Sequence, residues 1–225
     1  MPYYPIFLDL NNQNILVVGG GEVAERKIKT LLMYGCTIYI SSPHLTPYLQ
    51  HLVATNKIHR ISHESLDTVM NDTFMVIAAT DNAEANTNIA SQAKKHNLLV
   101  NAVDQPKDCN FIMPSIVKRG NLQIAISTAG KSPALAKKIR KNLEHSFPPE
   151  YDSLTELLGT IRTKLLFQNQ PSLKNKIIFQ QLADSNLLEM ITHKNWDGIR
   201  ATLQSILGKD FPIEKTLTKV FKKIQ

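Results

Sequence analysis

At 225 residues, 43% apolar and 20% charged, the chain has the composition of a folded protein and the length for one sizeable domain plus a smaller one. No apolar run approaches the ~20 residues that cross a bilayer, and two cysteines, Cys36 and Cys109, exclude a disulfide scaffold and offer no metal-ligand spacing. The net charge of +7 favours an anionic partner, whether nucleic acid, membrane surface or polyanionic small molecule. The basic runs Lys137-Lys138, Arg140-Lys141 and Lys222-Lys223 are not interleaved with aromatics, so neither nucleic acid nor membrane is expected as a partner. Met1 to Pro5 lack the charged and apolar regions of a signal peptide, which makes the cytoplasm the expected location.

The first hundred residues alternate strand and helix signals, the pattern of a parallel α/β sheet. Asn14 to Val18 reads as a buried strand that runs into Gly19-Gly20-Gly21. Val23 to Tyr34 follows as a helix with Gly35 as its C-cap. Thr37 to Ile40 is a short β-branched strand stopped by Ser41-Ser42-Pro43; Pro47 to Thr55 reads as helix and His59 to Ile61 as a marginal strand. Met75 to Ala79 is an apolar strand closed by Thr80-Asp81-Asn82, then come a helix from Ala83 to His96 and a strand from Leu98 to Val103. After a break near Asp108 to Asn110 the alternation stops. Phe111 to Val117 and Leu122 to Ser127 form a hairpin signal, and Ser132-Pro133 caps and opens a helix through His145. Beyond Pro148-Pro149, helices are expected at Tyr151 to Phe167, Leu173 to Ala183, Leu187 to His193 and Trp196 to Leu207. The expected architecture is thus a Rossmann-type parallel sheet (1–108), a small α+β module (109–148) and a helical C-terminal domain (149–225).

The glycine turn carries the strongest chemical signal. Gly19, Gly21 and Ala24 fit G-x-G-x-x-A between an apolar strand and an amphipathic helix. In such a fingerprint the first glycine allows the tight exit, the second lets backbone approach a pyrophosphate, and the third small residue lets the helix pack close. Ligands of doubly wound sheets bind at the carboxyl ends of the strands, and three more polar spots fall there. The loop Ser41 to His44 has no acid for ribose hydroxyls and no arginine beside Ser41 for a 2′-phosphate, which leaves NAD and NADP unresolved by pattern. Thr80-Asp81-Asn82 reads as a capping connection or, with Thr80, as part of the cofactor rim. Asp104 is delivered to the rim as a general base or as an ordinary turn residue. Ser127, Thr128, Lys131 and Ser132 around Gly130 form either an anion nest or a capping loop. The seven histidines form no metal-binding cluster.

Several runs together resemble one family. They are Pro5-Ile6-Phe7, Val17 to Lys27, Ala78 to Asp81, Asn101 to Asp104, Asn110 to Ile116, and Ala125 to Pro133. Over roughly residues 1 to 150 the chain closely resembles the precorrin-2 dehydrogenase family, the module that opens multifunctional sirohaem synthases and also occurs as a free-standing enzyme. The resemblance implies NAD-dependent oxidation of precorrin-2 to sirohydrochlorin, and a homodimer built through the hairpin region. It puts cofactor contacts on Gly21, Glu22, Val23, Pro43 and His44 and a catalytic aspartate on Asp104. Ser127, Thr128 and Lys131 become substrate contacts, although Thr128 stands where bifunctional relatives often have serine. Some members of the family also insert iron, and the presence of Asp104 leaves that open. Precorrin-2 is an octacarboxylate, which would account for the positive charge; Arg119, Lys131 and the run Lys137 to Lys141 are the candidate partners. A module that senses NAD(H) without turnover is the alternative; it would need the glycine turn but not Asp104.

Overall fold

The computed structural model describes residues 3–167 and 172–221, so the Lys222-Lys223 run lies outside the described residues. Two compact units divide at residues 113 and 114. In the first, the elements are β1 (Asn14–Val18), α1 (Glu22–Leu31), a 3₁₀ turn (Leu32–Tyr34), β2 (Thr37–Ser41), α2 (Pro47–Ala54), β3 (His59–Arg60), α3 (Leu66–Met70), β4 (Met75–Ala78), α4 (Ala83–Lys95) and β5 (Leu99–Ala102). The strands form one parallel sheet in the order β3-β2-β1-β4-β5. β1 lies at its centre and is covered on both faces, which is why it reads as an unbroken apolar run.

Alternate residues of β1 feed two different cores. Ile15 and Val17 pack with Ala24, Ile28 and Leu31 of α1 and with Leu49 and Leu52 of α2. Leu16 and Val18 pack with Leu66 and Met70 of α3 and with Ile89, Ala90 and Ala93 of α4. Helices therefore cover both faces, and the strand order reverses direction between β1 and β4, where such sheets hold their ligands. The five-residue helix α3 carries too few turns to show a period, and sequence pattern did not foretell it.

The first unit ends differently from expectation. The strand expected from Phe111 starts only at Ser115, because Phe111 and Met113 pack on the core beside α1 and Pro114 has no N–H for a ladder. Just before them, Asn110 treats β5 as a partner strand. Its side-chain oxygen accepts from Val100 N at 2.7 Å, its amide donates to Leu98 O at 2.8 Å, and its own N–H donates to Val100 O at 3.1 Å.

In the second unit, β6 (Ser115–Arg119) and β7 (Leu122–Ile126) form the expected hairpin. Pairing of Arg119 with Leu122 leaves the two-residue turn Gly120-Asn121, with Gly120 at φ 57°. A side chain at Gly120 would also meet the Asp152 carboxylate, 1.7 Å from an ideal Cβ. Helix α5 (Pro133–Ser146) opens as the Ser132-Pro133 signal foretells, with Ser132 Oγ accepting from Leu135 N at 3.3 Å. Helices α6 (Tyr151–Phe167), α7 (Ser172–Ala183), α8 (Leu187–Thr192), α9 (Trp196–Leu207) and α10 (Ile213–Phe221) complete the unit. Leu157, Ile161 and Leu165 of α6 form its core with Ile178, Leu182, Leu187, Ile199, Leu203, Leu217 and Val220. The expectation of helices stopped at Leu207, although Ile213, Leu217 and Val220 make a regular stripe on α10. Among the described residues no helix is long and apolar enough to cross a membrane.

Because Asn110 supplies both a donor and an acceptor to the β5 edge, Asn110→Ala is expected to lower unfolding free energy by about 1–3 kcal/mol. A urea titration followed by circular dichroism measures the loss.

Candidate functional site

The carboxyl ends of all five strands open into one cleft of about 1440 Å³ in the first unit. Its floor is the glycine turn. Gly19 has φ 117°, and an ideal Cβ there would sit 2.1 Å from Ala79 O at the end of β4. Gly20 is equally confined, since a Cβ would meet His44 O at 2.1 Å. At Gly21 the surroundings change: nothing lies within 4 Å of an added Cβ. Gly19 and Gly20 are thus small because protein touches them, whereas Gly21 leaves space open for a ligand. Helix α1 starts at Glu22 with no side chain capping it, so its first N–H groups face the cleft mouth. Ala24, fully buried, brings the helix close to the sheet as the fingerprint requires.

Thr46 ties the floor to the wall. Its N–H donates to Gly20 O at 3.0 Å, its hydroxyl donates to Glu25 Oε2 at 2.5 Å, and the same oxygen caps α2 by accepting from Leu49 N at 3.3 Å. The ammonium of Lys29, bonded to Glu25 at 2.5 Å, and the Thr46 hydroxyl together hold the Glu25 carboxyl below the usual value. On the opposite side Asn86, 3% exposed, anchors the turn after β4. It accepts from Thr80 N at 3.0 Å and donates to Thr80 O at 3.1 Å, while Asn82 caps α4 by accepting from Ala85 N at 3.0 Å. The capping reading of Thr80-Asp81-Asn82 therefore holds, and the turn lines the cleft as well.

All candidate residues of the first unit meet here: Gly19, Gly21, Glu22, Val23, Pro43, His44, Thr80 and Asp104 line the same cleft. Asp104 is exposed at the end of β5 with φ 59°, a left-handed backbone that aspartate tolerates better than most residues. Beneath it, Lys27 donates to Asn101 Oδ1 at 2.8 Å and to Met113 Sδ at 3.4 Å, and burial pushes its ammonium below the ordinary lysine value.

The sheet adds a residue that the sequence around Ser41 does not show. Although no arginine adjoins Ser41 in the sequence, Arg60 of β3 reaches that loop through the sheet. Its Nη2 donates to Ser42 O at 2.9 Å and to Pro43 O at 3.0 Å, and it lines the cleft. β3 lies beside β2, so a residue remote in sequence becomes a neighbour. Thr46 and Asn86 were also missed, because a polar residue in a loop or on a helix carries no period to mark it.

Ser127, Thr128 and Lys131 lie in the second unit, between β7 and α5, and each unit is described by itself. Ala129 N donates to Ser127 Oγ at 2.9 Å and Ser132 N donates to Thr128 Oγ1 at 3.0 Å, so the loop is built as a capping arrangement. Each hydroxyl keeps its own proton for a further bond. Lys131 is exposed. Arg119 is not available as a surface cation. Its guanidinium donates to Phe147 O at 2.8 Å, Glu144 O at 3.1 Å and Lys118 O at 3.0 Å, closing the end of α5, while Arg140 pairs with Glu144.

A family model described as NAD(P)-binding matches residues 6–115, and a second, described as the central part of a sirohaem biosynthesis protein, matches residues 119–146. A solved structure titled "SirC, precorrin-2 dehydrogenase" superposes with a TM-score of 0.71 at 28% identity, covering 91% of this chain and 98% of that one. In sequence and fold the chain is thus similar to that precorrin-2 dehydrogenase. Among curated relatives, the siroheme synthase of Zymomonas mobilis is 34% identical over 94% of this chain. Siroheme synthase 1 of Serratia proteamaculans is 40% identical over 72%. The chain spans 45% and 34%, respectively, of those relatives' own lengths.

The glycines separate fold from ligand. Gly19→Ala is expected to destabilise the first unit by several kcal/mol, since it combines a forbidden φ with a clash against main chain. Gly21→Ala, at φ −83° and with open space around it, is expected to melt within about 0.5 kcal/mol of the parent yet bind dinucleotide more weakly. Thermal melts paired with calorimetric titration of NAD read both outcomes.

Proposed function

We propose that the chain oxidises precorrin-2 to sirohydrochlorin, with NAD as the electron acceptor, as a step toward sirohaem. The observation that carries this reading is the single cleft that joins a dinucleotide-type glycine turn to the Asp104 carboxylate at its rim. The residues present fit such a cofactor: Gly21 leaves clearance, and the uncapped start of α1 offers the N–H groups of Glu22 and Val23 to a pyrophosphate. Pro43 and His44 would border the adenosine side, and Thr80 the rim beside β4. When bound, NAD supplies the hydride acceptor.

The chain's own work is positional and proton-transferring. Loss of a hydride and a proton from adjacent substrate atoms creates the new double bond, and Asp104 accepts the proton. Its exposure leaves the carboxylate within reach of a large substrate. Ser127 and Thr128 donate their remaining hydroxyl protons, and Lys131 its charge, to substrate carboxylates. The alternative of NAD(H) sensing without turnover has no observation in its favour.

We further propose that the protein is a cytoplasmic homodimer. Both cysteines are unpaired thiols, in keeping with a reducing compartment. The hairpin leaves its apolar residues half-buried, with only Val117 fully covered, and Leu135 of α5 is 49% exposed. A two-stranded hairpin with so much uncovered apolar surface is stabilised by a second copy.

Incubation of the protein with precorrin-2 and NAD is expected to yield NADH and the sirohydrochlorin spectrum; no NADH would sink the enzymatic reading. Asp104→Asn, which retains the left-handed backbone that alanine would strain, is expected to cut kcat roughly 100- to 10,000-fold. Calorimetric affinity for NAD should stay unchanged, and a wild-type rate would remove Asp104 from proton transfer. Leu135→Glu is expected to shift the sedimentation equilibrium from dimer to monomer.

A further inference from the structure

Three of the runs that mark the sequence converge on the Lys27 ammonium, which the dehydrogenase reading does not use. Lys27 ends the run from Val17, Asn101 opens the run to Asp104, and Met113 lies in the run from Asn110 to Ile116. Lys27 donates to both of the others, to Asn101 Oδ1 at 2.8 Å and to Met113 Sδ at 3.4 Å. Burial works against its charge and Arg26 on the same helix repels it, while Cys109 and Asp104 favour it. An ammonium drawn out of water is costly, so filling space alone would favour an apolar side chain.

From Lys27 a chain of hydrogen bonds leads to the turn that carries Asp104. Asn101, 9% exposed, accepts from Lys27 and donates its amide to Phe111 O at 3.2 Å and to Cys109 Sγ at 3.7 Å. That sulfur accepts from Ala102 N at 3.2 Å, and its thiol lies 3.3 Å from Ala102 O and 3.4 Å from Gln105 O. Ala102 and Gln105 are the two ends of the turn, closed by Gln105 N donating to Ala102 O at 3.3 Å. Asp104 sits between them at φ 59°, and a residue in that left-handed region persists only where its surroundings hold it. Asp104 itself is exposed, so the hold comes from the Cys109 side of the turn.

We propose that Lys27 is a positioning residue for Asp104: through Asn101 and Cys109 its ammonium fixes the turn that presents the carboxylate at the cleft rim. The inference rests on Asp104 as the proton acceptor and adds what keeps it in place. Lys27 does not line the cleft and acts only through its neighbours.

Lys27→Met keeps an unbranched stem in place and removes the charge. With precorrin-2 and NAD it is expected to lower kcat about 10- to 100-fold, the effect of a reacting group displaced by about 1 Å. Calorimetric affinity for NAD is expected to stay unchanged. Cys109→Ala, which cuts the chain of bonds at its far end, is expected to lower kcat in the same way with Lys27 intact. The deciding measurement is a double-mutant cycle. Added to Asp104→Asn, Lys27→Met is expected to cost nothing more, because its whole effect passes through that carboxylate. A parent kcat in Lys27→Met, or losses that multiply in the double variant, would overturn the inference. Where circular dichroism shows that Lys27→Met does not fold, Cys109→Ala decides, and a parent kcat there overturns the inference equally. A wild-type rate in Asp104→Asn would instead overturn the proton-transfer reading on which the inference rests.

Discussion

The cleft depends on how closely three loops approach at the carboxyl edge of the sheet. Gly19 runs against the carbonyl of Ala79 and Gly20 against that of His44, with no room at either place for a methyl group. The main-chain bonds from Gly19 N to Ser41 O at 2.9 Å and from Thr46 N to Gly20 O at 3.0 Å are possible only at this separation. Protein interiors transmit such constraints because they are close-packed. Fixing the glycine turn therefore fixes the loops after β2 and β4 as well, and with them every group that borders the ligand space.

The electrostatics follow the same geometry. The partial positive charge of α1 opens at the centre of the cleft, Arg60 stands at one end, and Asp104 lies at the end of β5. The floor thus favours an anionic ligand, and the Asp104 carboxylate stands apart, just beyond the end of β5. Much of the chain's excess positive charge does other work: Arg119 closes α5, Arg140 pairs with Glu144, and Lys27 supports Asn101 from below. Net charge told of an anionic partner without saying which cations would meet it.

The fold was legible where a period existed. β1, α6 and α9 begin and end where apolar spacing and capping residues place them, and the glycine fingerprint located the cleft. Legibility failed where the determinant was contact between distant residues. Phe111 and Met113 look like strand but serve the first core, and α3 is too short to show a stripe. In the site, Gly21, Thr80 and Asp104 were readable because each follows a recognisable strand. Arg60, Thr46 and Asn86 were not, since their importance comes from neighbouring strands and loops that only the folded sheet brings together. Arg60 is the sharpest case, as its partners lie on the loop after another strand.

The side chain of Asn110 has a consequence beyond its own two bonds. A parallel sheet has two open margins, and unpaired backbone at a margin recruits other extended chains, the first step of aggregation. At one margin β3 is only two residues long, His59 and Arg60, both exposed and polar, and offers a poor template. At the other, β5 is longer and more apolar, and there an asparagine imitates the next strand with a single amide. Close to the end of the first unit, Asn110 thereby covers the margin that would otherwise be open to another extended chain.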